Sequence, residues 1–371
     1  MVKKKRFRLS DHEAALLGFK PKGKTKTGGN FRYMLNEKQE QQLKESRKQT
    51  IKNAPLSIKG TSTLYDKNGD VIIEWVKTDK NKEKQFNQLK EAINELKKSI
   101  KPAPKTPIPT HESNSNLLNL YTLTDYHLGM MSWDEETGDN WDIKIAEETL
   151  VKFFQCSILQ SPMAETCIFA NIGDFLHWDG LEAVTPASKH VLDADTRYTK
   201  LVRVAIRVIK RVISMLLEKY QKVIVIMAEG NHDLASSVWL RELLNDYYDK
   251  DNRVFIDTTA FPYYCVNFGT NFIGFHHGHK ANLNRIESVM IGKYKKEFGN
   301  SEKVYIHTGH LHHEIKKETN LSLIEQHRTL ASKDSYASRG GWDSGRDSKV
   351  ITYHKKFGEV GRNTVNIDML K

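Results

Sequence analysis

The sequence predicts a small basic module followed by an α/β domain. Behind residue 115, short apolar runs alternate with stretches of helical period, which is the pattern of an α/β domain. Ahead of that point, Lys101–Ser115 contains four of the nine prolines and no apolar period, which predicts an extended linker. The predicted parts are therefore residues 1–100, the linker 101–115 and the domain 116–371.

Charge is distributed unevenly along the chain. The 371 residues include 57 Lys and Arg and 46 Asp and Glu, a formal net charge of +11. Residues 1–110 hold 26 of the basic and 12 of the acidic residues, a net charge of +14, so the remainder is −3. Because Lys and Arg bind polyanions by neutralising phosphates, we predict that the module binds nucleic acid, DNA in particular. A solvated surface is the alternative interpretation.

Membrane and disulfide-rich classes are excluded by composition. No segment approaches the roughly 18 consecutive apolar residues of a membrane span, and the basic start is followed by no apolar signal segment. The three cysteines lie in apolar stretches without metal-type spacing, which indicates reduced thiols. We expect a cytoplasmic protein with no membrane partner.

Local signals in the basic module predict a helix, a hairpin and a second helix. Asn36 and Gln39 have the spacing of a capping box, which opens a polar helix ending near Lys48. Thr63–Lys77 is typical of a hairpin that turns at Asn68-Gly69. The second helix follows from an apolar stripe at 89, 93, 96 and 100. We expect disorder in residues 1–30, which are rich in Lys and Gly.

The α/β domain has five predicted strands, each followed by polar residues. The strands are Leu117–Thr124, Thr166–Ile172, Val223–Ala228, Phe272–His276 and Lys303–Thr308. Helices are predicted over Ile143–Leu159 and Leu201–Tyr220, and a last strand over Val350–His354.

Metal-type ligands follow all five strands. The motifs are Asp125-Tyr126-His127, Gly173-Asp174-Phe175-Leu176-His177, Gly230-Asn231-His232-Asp233, His276-His277-Gly278-His279 and Gly309-His310-Leu311-His312. Ligands of open α/β sheets gather at the carboxyl ends of strands, so these loops are expected to converge. Mixed Asp, Asn and His donors suit Mn²⁺, Fe or Zn²⁺, and their number suits two ions.

In order and composition the five motifs resemble the calcineurin-like metallophosphoesterase superfamily, over Leu117 to about Glu314. The resemblance implies two mixed β-sheets sandwiched by helices and two divalent transition metals, with Mn²⁺ favoured over Fe or Zn²⁺. It implies a first metal held by Asp125, His127 and His312 and a second held by Asn231, His277 and His310. It also implies that Asp174 bridges the two metals, beside which an activated water would attack phosphorus.

Three further residues have implied or predicted roles in catalysis. The resemblance makes His232 the proton donor to the leaving oxygen or a phosphate stabiliser. Asp233 is predicted to orient the His232 ring through its N–H. His177 completes a Gly-Asp-x-x-His motif that resembles the SbcD-like DNA repair exonucleases, where it lies near the scissile phosphate; a supporting hydrogen bond is the alternative.

Other histidines leave alternatives open. The family pattern selects His277, with His276 as a structural neighbour or an alternative ligand. His279 and His313 either touch substrate or close a hydrogen bond, and Glu229 is interpreted as solvated or hydrogen-bonded. The isolated His190, His327 and His354 are interpreted as having no role at the site.

The chain departs from the exonuclease family at two places. Only about 60 residues follow His312, too few for a DNA-capping domain and an ATPase-binding segment, which argues against a coiled-coil ATPase partner. An insertion, Trp178–Arg197, places Asp193, Asp195 and Arg197 where they are expected over the site. The Gly- and Arg-rich segment Ser335–Arg346 is predicted to clamp phosphates through Arg339 and Arg346 and to stack a base on Trp342; a surface turn is the alternative.

Three functions are therefore open. The first is a two-metal phosphodiesterase acting on DNA, an exo- or endonuclease, and the whole pattern is similar to phosphoesterases common in bacteriophage genomes. The second is a phosphatase or phosphodiesterase for small nucleotides or phosphoproteins. The third is a DNA-binding protein whose metal site is only structural, against which the intact ligand positions argue.

Overall fold

A computed structural model describes residues 5–9, 11–20, 32–52, 56–65, 71–80, 102–186 and 188–371. The chain divides into two compact units, residues 1–92 and 93–371. Within these described ranges, no helix combines the length and apolar character needed to cross a bilayer.

The first unit contains two antiparallel strand pairs and two helices. Strand β1 (Lys5–Arg8) pairs with β2 (Arg32–Leu35), and β3 (Leu56–Tyr65) pairs with β4 (Val71–Lys80). The helices are α1 (Asp11–Leu16) and α2 (Glu37–Lys52). A small core is formed by Leu9, Ala14, Leu17, Tyr33, Leu35 and Leu43.

The predicted capping box and hairpin are confirmed. The Gln39 N–H donates to Asn36 Oδ1 at 2.9 Å, and the Asn36 N–H donates to Gln39 Oε1 at 3.2 Å. Strands β3 and β4 form the hairpin, although its predicted turn at 68–69 lies outside the described residues, as does the predicted helix of residues 89–100.

The expected disorder of residues 1–30 is wrong for the described part of that segment. Strand β1 and helix α1 form there, and Leu9, Ala14 and Leu17 are buried against Tyr33 and Leu43. The segment is rich in Lys and has few apolar side chains, so its composition did not indicate burial. These side chains pack against residues that come later in the sequence, such as Tyr33 and Leu43.

The Pro-rich segment is attached to the second unit. It has no helix or strand over residues 102–113, as its prolines require. The Ala103 N–H donates to the Tyr247 carbonyl at 2.8 Å, and Arg253 Nη1 donates to the Thr106 carbonyl at 3.0 Å. The segment is therefore extended as predicted, but along residues 102–106 it is fastened to the surface of the second unit.

Eleven strands of the second unit form two mixed sheets. In chain order they are Asn114–Leu123 (β5), Ala164–Asn171 (β6), Lys222–Met227 (β7), Val254–Ile256 (β8), Tyr264–Phe268 (β9), Asn271–Phe275 (β10), Lys303–Thr308 (β11), Ile315–Glu318 (β12), Leu323–Gln326 (β13), Asp347–His354 (β14) and Gly358–Asn366 (β15). The six-stranded sheet has the order β15-β14-β5-β6-β7-β8, and the five-stranded sheet has the order β12-β13-β11-β10-β9.

Both sheets combine parallel and antiparallel pairs. Strands β5 to β8 run parallel, while β14 and β15 complete the sheet antiparallel. In the second sheet β10, β11 and β13 run parallel, while β9 and β12 are antiparallel edges. The helices are Asp134–Thr137 (α3), Ile143–Gln160 (α4), Tyr198–Lys219 (α5), Leu234–Tyr247 (α6), Leu283–Lys293 (α7), Lys295–Gly299 (α8), Ser335–Arg339 (α9) and a 3₁₀ turn, Ile367–Leu370.

Successive side chains of a strand point to opposite faces of its sheet, and each face packs against a different layer. On β5, Leu118 and Leu120 face the core between the sheets, whereas Tyr121 and Leu123 face the core shared with helices α4 and α5. This period of two is what a strand buried on both faces requires. On the far side of the second sheet, Phe272 packs against helix α7. The predicted fold class, two mixed sheets sandwiched by helices, is confirmed.

Candidate metal centre

The predicted ligand residues lie on the loops that follow parallel strands. Strands β5, β6 and β7 of the first sheet and β10 and β11 of the second deliver them. Their donor atoms come close together in two overlapping groups, Asp125 with His127 and His312, and Asp125 with Asp174, His277 and His310. A third group joins His127, His177 and His232. Sequence-distant strand ends therefore converge on one place.

The backbone is unusual at these positions. Six non-glycine residues in the described ranges have φ in the left-handed region, and five of them are predicted ligands: Asp125 (50°), His127 (47°), Asp174 (52°), His310 (77°) and His312 (56°). A left-handed φ is unfavourable for residues with a Cβ and is concentrated at functional sites. This backbone geometry marks the same residues as the motifs do.

Asp125 is held rigidly and keeps one oxygen without a partner. Its Oδ2 accepts the His310 N–H at 2.8 Å and the Thr124 hydroxyl at 2.6 Å. Its Oδ1 is buried without a hydrogen bond and faces His312 Nε2 at 3.2 Å. Burial disfavours the charge on Asp125, but His312 and His277 lower its pKa below the usual range. The free oxygen is thus a charged acceptor aimed at the other donors.

His277 has the orientation of a metal-binding histidine. Its Nδ1 lies 2.9 Å from the Ile172 carbonyl, which can only accept, so Nδ1 carries the proton. Its Nε2 is left facing Asp174 Oδ2 at 3.1 Å and Asn231 Oδ1 at 3.2 Å. Metal-bound histidines usually donate their second N–H in this way. Burial opposes protonation of the ring, but the carboxylates of Asp174 and Asp125 raise the pKa of His277 to about 10.

His276 points elsewhere. Its Nδ1 accepts the Gly278 N–H at 2.9 Å, and its ring lies 4.4 Å from that of Tyr263. The neighbouring His279 lies with its ring 5.3 Å from that of His277, and both of its ring nitrogens are buried without a hydrogen bond. Of the three histidines, His277 is the one that meets the carboxylates.

Asp174 joins the ligand set to the loop of His232. Its Oδ1 accepts the His232 N–H at 2.8 Å, while its Oδ2 faces His277. Burial raises the pKa of Asp174, but His277 and His232 outweigh it and lower that pKa well below the usual range. Asp125 is the carboxylate common to both ligand groups, so a bridging position for Asp174 stays a prediction.

The His232 ring is oriented by a backbone carbonyl. Its Nδ1 lies 2.7 Å from the His177 carbonyl, so Nδ1 carries a proton and Nε2 is the nitrogen left for a substrate. The prediction that Asp233 orients this ring is wrong. The Asp233 carboxylate instead accepts the backbone N–H groups of Gly230, Phe175 and Leu176. Asp233 therefore positions the loop that carries Asn231 and His232.

His127 and His177 lie beside this ring. His127 Nδ1 is 3.3 Å from His177 Nδ1, and His127 Nε2 is 3.4 Å from His312 Nε2. Burial lowers the pKa of His177 to about 3 and keeps the pKa of His127 well below its ordinary value. His177 is almost fully buried, and its Nε2 has no hydrogen-bond partner.

Divalent cations fit these residues. The site combines a buried Asp125 oxygen that has no hydrogen-bond partner with a histidine, His277, whose Nε2 faces the other donors Asp174 and Asn231. The donors are carboxylate, amide and imidazole, which are the ligands of first-row transition metals. The predicted first set corresponds to the group of Asp125, His127 and His312, and the predicted second set shares His277 and His310 with the other group.

A cavity of about 560 Å³ opens beside the ligand residues. Its wall includes His127, Asp174, Asn231, His232, His310 and His312 on one side, and residues 329–346 contribute the other. His313 also lines it. A space of this size holds a molecule the size of a nucleotide.

The two predicted phosphate-binding arginines have partners within the protein. Arg346 donates to Asp139 Oδ2 at 2.5 Å and to the Leu330 carbonyl through Nε and Nη2. Arg339 donates to Glu136 Oε1 at 3.2 Å, and the Arg339 side chain is 81% exposed. Arg346 lines the cavity but is fixed in place, and contact of either arginine with substrate stays a prediction.

The described residues of the insertion contact elements around the site, and the three that were predicted to lie over it do not line the cavity. Trp178 is buried against Gly129. Asp195 accepts the Ile143 N–H at 3.0 Å, and Asp193 accepts the Ser335 hydroxyl at 2.7 Å. Among the described residues that line the cavity, Asp193, Asp195 and Arg197 are absent, so their expected position over the site is corrected.

Two supporting residues were not singled out from the sequence. The Thr329 hydroxyl donates to the Asp125 carbonyl at 2.7 Å. Asp179 accepts the Ala235 and Ser236 N–H groups at 2.5 and 2.7 Å and so fixes the start of helix α6 behind the His232 loop. Only the position of Asp179, five residues after Asp174, was a signal in the sequence.

A second buried polar cluster lies on the five-stranded sheet. His307 Nδ1 is 2.9 Å from His327 Nε2, and His307 Nε2 is 2.9 Å from the Tyr353 hydroxyl. Glu325 accepts two hydrogen bonds from Arg362, at 2.7 and 2.9 Å. His307, Glu325 and His327 are close enough to hold a cation, but Arg362 already neutralises the carboxylate. The cluster is therefore structural, and His327 is less isolated than its sequence context indicates.

This cluster makes stability depend on pH. Burial lowers the pKa of His307 to about 4 and holds that of His327 well below its ordinary value. Below about pH 6.5 the two histidines bind protons in the unfolded chain but stay neutral in the folded chain. The free energy of unfolding therefore falls as the pH falls from about 6.5 to 4. We expect His327→Gln to reduce this slope by about 1.4 kcal/mol per pH unit, the equivalent of one proton. Denaturant unfolding in chelator at several pH values measures it, and equal slopes would contradict the assignment.

Comparison with known proteins gives weak structural similarities. No family model and no curated protein matches the sequence. A predicted phosphoesterase of Streptococcus pneumoniae is 11% identical over 67% of this chain and 98% of its own, with a TM-score of 0.28. Vps29 of Entamoeba histolytica in complex with zinc is 11% identical over 67% and 99%, with a TM-score of 0.27. An archaeal phosphodiesterase is 15% identical over 67% and 99%, with a TM-score of 0.33.

These scores lie below the level at which a shared fold supports a shared activity. The chemistry of this chain therefore depends on its own side chains: buried carboxylates, converging histidines and a cavity beside them.

Proposed function

We propose that this chain is a metal-dependent phosphoester hydrolase of the calcineurin-like type that cleaves phosphodiester bonds in nucleic acid, DNA in particular. One observation carries the proposal: seven donor residues from five strand ends in two sheets meet beside a single cavity. Three other features support it. These are the left-handed backbone at five donors, the carbonyl-oriented His277 and the basic first unit.

The donor residues divide between two cations. Asp125, His127 and His312 would hold one ion and Asn231, His277 and His310 the other, with Asp174 between them and Mn²⁺ favoured over Fe or Zn²⁺. Bound at this place, two divalent cations supply charge for the phosphate oxygens and activate the attacking water. The role of the protein is to fix the donors, which the hydrogen bonds of Asp125 and His277 accomplish.

His232 is the residue proposed to act on the leaving group. Its Nδ1 proton is committed to the His177 carbonyl, and its ring lines the cavity with Nε2 free. When Nε2 is protonated it can donate to the leaving oxygen or to a phosphate oxygen. His177, in the Gly-Asp-x-x-His motif, orients His232 through its carbonyl and packs beside it with ring centroids 5.5 Å apart.

The first unit is proposed to bind the nucleic acid. Residues 1–92 contain 22 Lys and Arg and 11 Asp and Glu, a net charge of +11, whereas residues 93–371 contain 35 of each. The entire net charge of the chain thus belongs to the first unit. A basic unit on an otherwise neutral chain retains a polyanion without specifying its sequence.

The test is a substrate panel with Mn²⁺ on the full chain. We expect cleavage of DNA, and a loss of at least about 10²-fold in His232→Ala, because general acid catalysis contributes about that much. His354→Ala is the matched control, since His354 does not line the cavity and its Nδ1 accepts the Lys356 and Phe357 N–H groups. DNA left intact with Mn²⁺, Fe²⁺ and Zn²⁺, single- or double-stranded, would refute the nuclease.

A chain lacking residues 1–92 separates the alternatives. We expect it to hydrolyse small diesters normally but to lose DNA cleavage, and we expect DNA cleavage by the full chain to decline with salt. Cleavage that is indifferent to the deletion indicates a phosphodiesterase or phosphatase for small nucleotides or phosphoproteins. Tight DNA binding with no hydrolysis and fewer than two metal equivalents indicates a structural site.

A further inference from the structure

The cavity extends from the ligand residues to a pair of exposed aromatic side chains. Tyr336 and Trp342 both line it, and they are 69% and 58% exposed. Their ring centroids are 5.2 Å apart with an interplanar angle of 56°. Large apolar rings exposed inside a concave site are unusual unless a ligand covers them.

The Trp342 indole is held in position by a glycine. A Cβ built on Gly340 would lie 2.8 Å from indole Cε3 and 2.9 Å from Cζ3, so the ring packs directly on the Gly340 backbone. The backbone at Gly340 is right-handed helical, with φ −74°, a conformation that alanine adopts easily. Glycine is therefore needed at this position for the space that the indole occupies.

Hydrogen bonds also fix the short helix that carries Tyr336. Asp334 accepts the Ala337 N–H at 2.8 Å, and the Ser338 hydroxyl donates to the Glu136 carbonyl at 2.6 Å. The backbone N–H of Trp342 donates to the Ala337 carbonyl at 3.1 Å. The two rings are thus attached to a supported segment, and their exposure is a feature of a built surface.

We infer that Tyr336 and Trp342 form a stacking site for a nucleobase of the substrate, so that the preferred phosphoesters carry a base near the scissile bond. This inference rests on the proposed hydrolase function and names its substrate class. A base supplies a flat π-face for the rings, and the surrounding Asp334, Ser344 and Asp343 offer polar atoms for its edge. A base in a duplex is already stacked, so the site accepts a single nucleotide or an unpaired end.

The observations favour a base over an alkyl chain or a second phosphate. Two cations line this end of the cavity, but Lys333 is paired with Asp343 and Arg346 with Asp139, so neither is left without a partner for a second phosphate. The two rings pack against each other with centroids 5.2 Å apart, so a flat group would stack on an exposed face of this pair.

The experiment compares two Mn²⁺-supported reactions of the full chain. One substrate is thymidine 5′-(p-nitrophenyl phosphate), and the other is the same ester with hydrogen in place of the base. We expect Trp342→Ala to lower kcat/KM about tenfold for the thymidine ester, mainly through KM, and to leave the abasic ester unchanged. Trp342→Phe should retain most of the activity, and Gly340→Ala should behave like Trp342→Ala because it displaces the indole.

Two control variants are available. Trp133 is 57% exposed and does not line the cavity, and Gly292 has open space around its Cβ position. Trp133→Ala and Gly292→Ala should leave both esters unaffected. Equal losses for the thymidine and abasic esters in Trp342→Ala, or no loss for either, would overturn the inference.

A binding measurement separates failure of the inference from failure of the hydrolase proposal. If the wild-type chain hydrolyses neither ester, calorimetric titration with thymidine 5′-monophosphate still tests the base site, and Trp342→Ala should weaken that binding about tenfold. Undiminished binding would overturn the inference. Titration with short oligothymidylate identifies the source: a larger Trp342 effect than with the mononucleotide indicates unpaired nucleic acid, and an equal effect indicates that one nucleotide suffices.

Discussion

Asp174→Asn is expected to lower phosphoester hydrolysis by at least about 10³-fold, because cation-based stabilisation contributes several kcal/mol. Asparagine keeps the volume of the side chain, and its oxygen can still accept the His232 N–H that Asp174 Oδ1 accepts at 2.8 Å. What it removes is the charge opposite His277, 3.1 Å from Nε2. We therefore expect fewer than two Mn²⁺ equivalents per chain together with the loss of turnover, measured by metal analysis and by kinetics.

A matched variant isolates the effect of the site from the effect of a lost buried carboxylate. Asp257 is also buried and also accepts a backbone N–H, from Thr259 at 2.9 Å, but it does not line the cavity. Asp257→Asn should bind metal and turn over substrate normally. Full occupancy and full activity in Asp174→Asn would remove Asp174 from the ligand set.

Gly230→Ala is expected to lower hydrolysis by about 10²-fold or more although it replaces no ligand residue. A Cβ at Gly230 would lie 1.9 Å from Asp174 Oδ1 and 2.4 Å from the Asp174 nitrogen, so Asp174 or the Asn231 loop must move. A misplacement of about 1 Å at a catalytic centre costs on that order. Steady-state kinetics and Mn²⁺ titration of the variant measure the effect.

Gly180 provides the control for this substitution. It lies near the site in sequence, yet a Cβ there meets nothing within 4 Å, and alanine should be neutral. Equal activity of Gly230→Ala and Gly180→Ala would mean that the loops after β6 and β7 can separate without loss of activity. This result would contradict a role for their close approach in catalysis.

The donor residues were predictable because strong local signals frame them. Each follows an apolar run, and the five predicted strands lie within three residues of β5, β6, β7, β10 and β11. A buried strand must end where its backbone meets polar residues, so strand end and ligand coincide in sequence. The long helices α4 and α5 were predicted for a similar reason, their clear three- and four-residue apolar spacing.

Several hydrogen-bond partners at the site were not predictable. Asp233 is next to His232 in sequence, but its carboxylate points at the backbone of Gly230 and of residues 175–176, because those N–H groups would otherwise be buried without acceptors. Arg346 was expected to contact substrate, yet its guanidinium donates to Asp139, which is about 200 residues away in sequence. Sequence proximity gives no information on such long-range choices.

Strand β13 was missed because its polar residues conceal burial. Its segment includes Glu325 and Gln326, both almost fully buried. Charged residues are rarely buried unless they are paired, and the pairing of Glu325 with Arg362 is formed only in the folded sheet. Composition alone therefore gave no signal for a strand at this position.

The left-handed backbone at Asp125, His127, Asp174, His310 and His312 has an evolutionary consequence. Each such residue costs the folded chain about 1–3 kcal/mol, which glycine would relieve. Glycine would also delete the donor, so the substitutions that most easily stabilise this fold are the ones that selection for activity forbids. Descendants of this chain that lose their chemistry should accumulate glycine at these five positions first, gaining thermal stability as they do so.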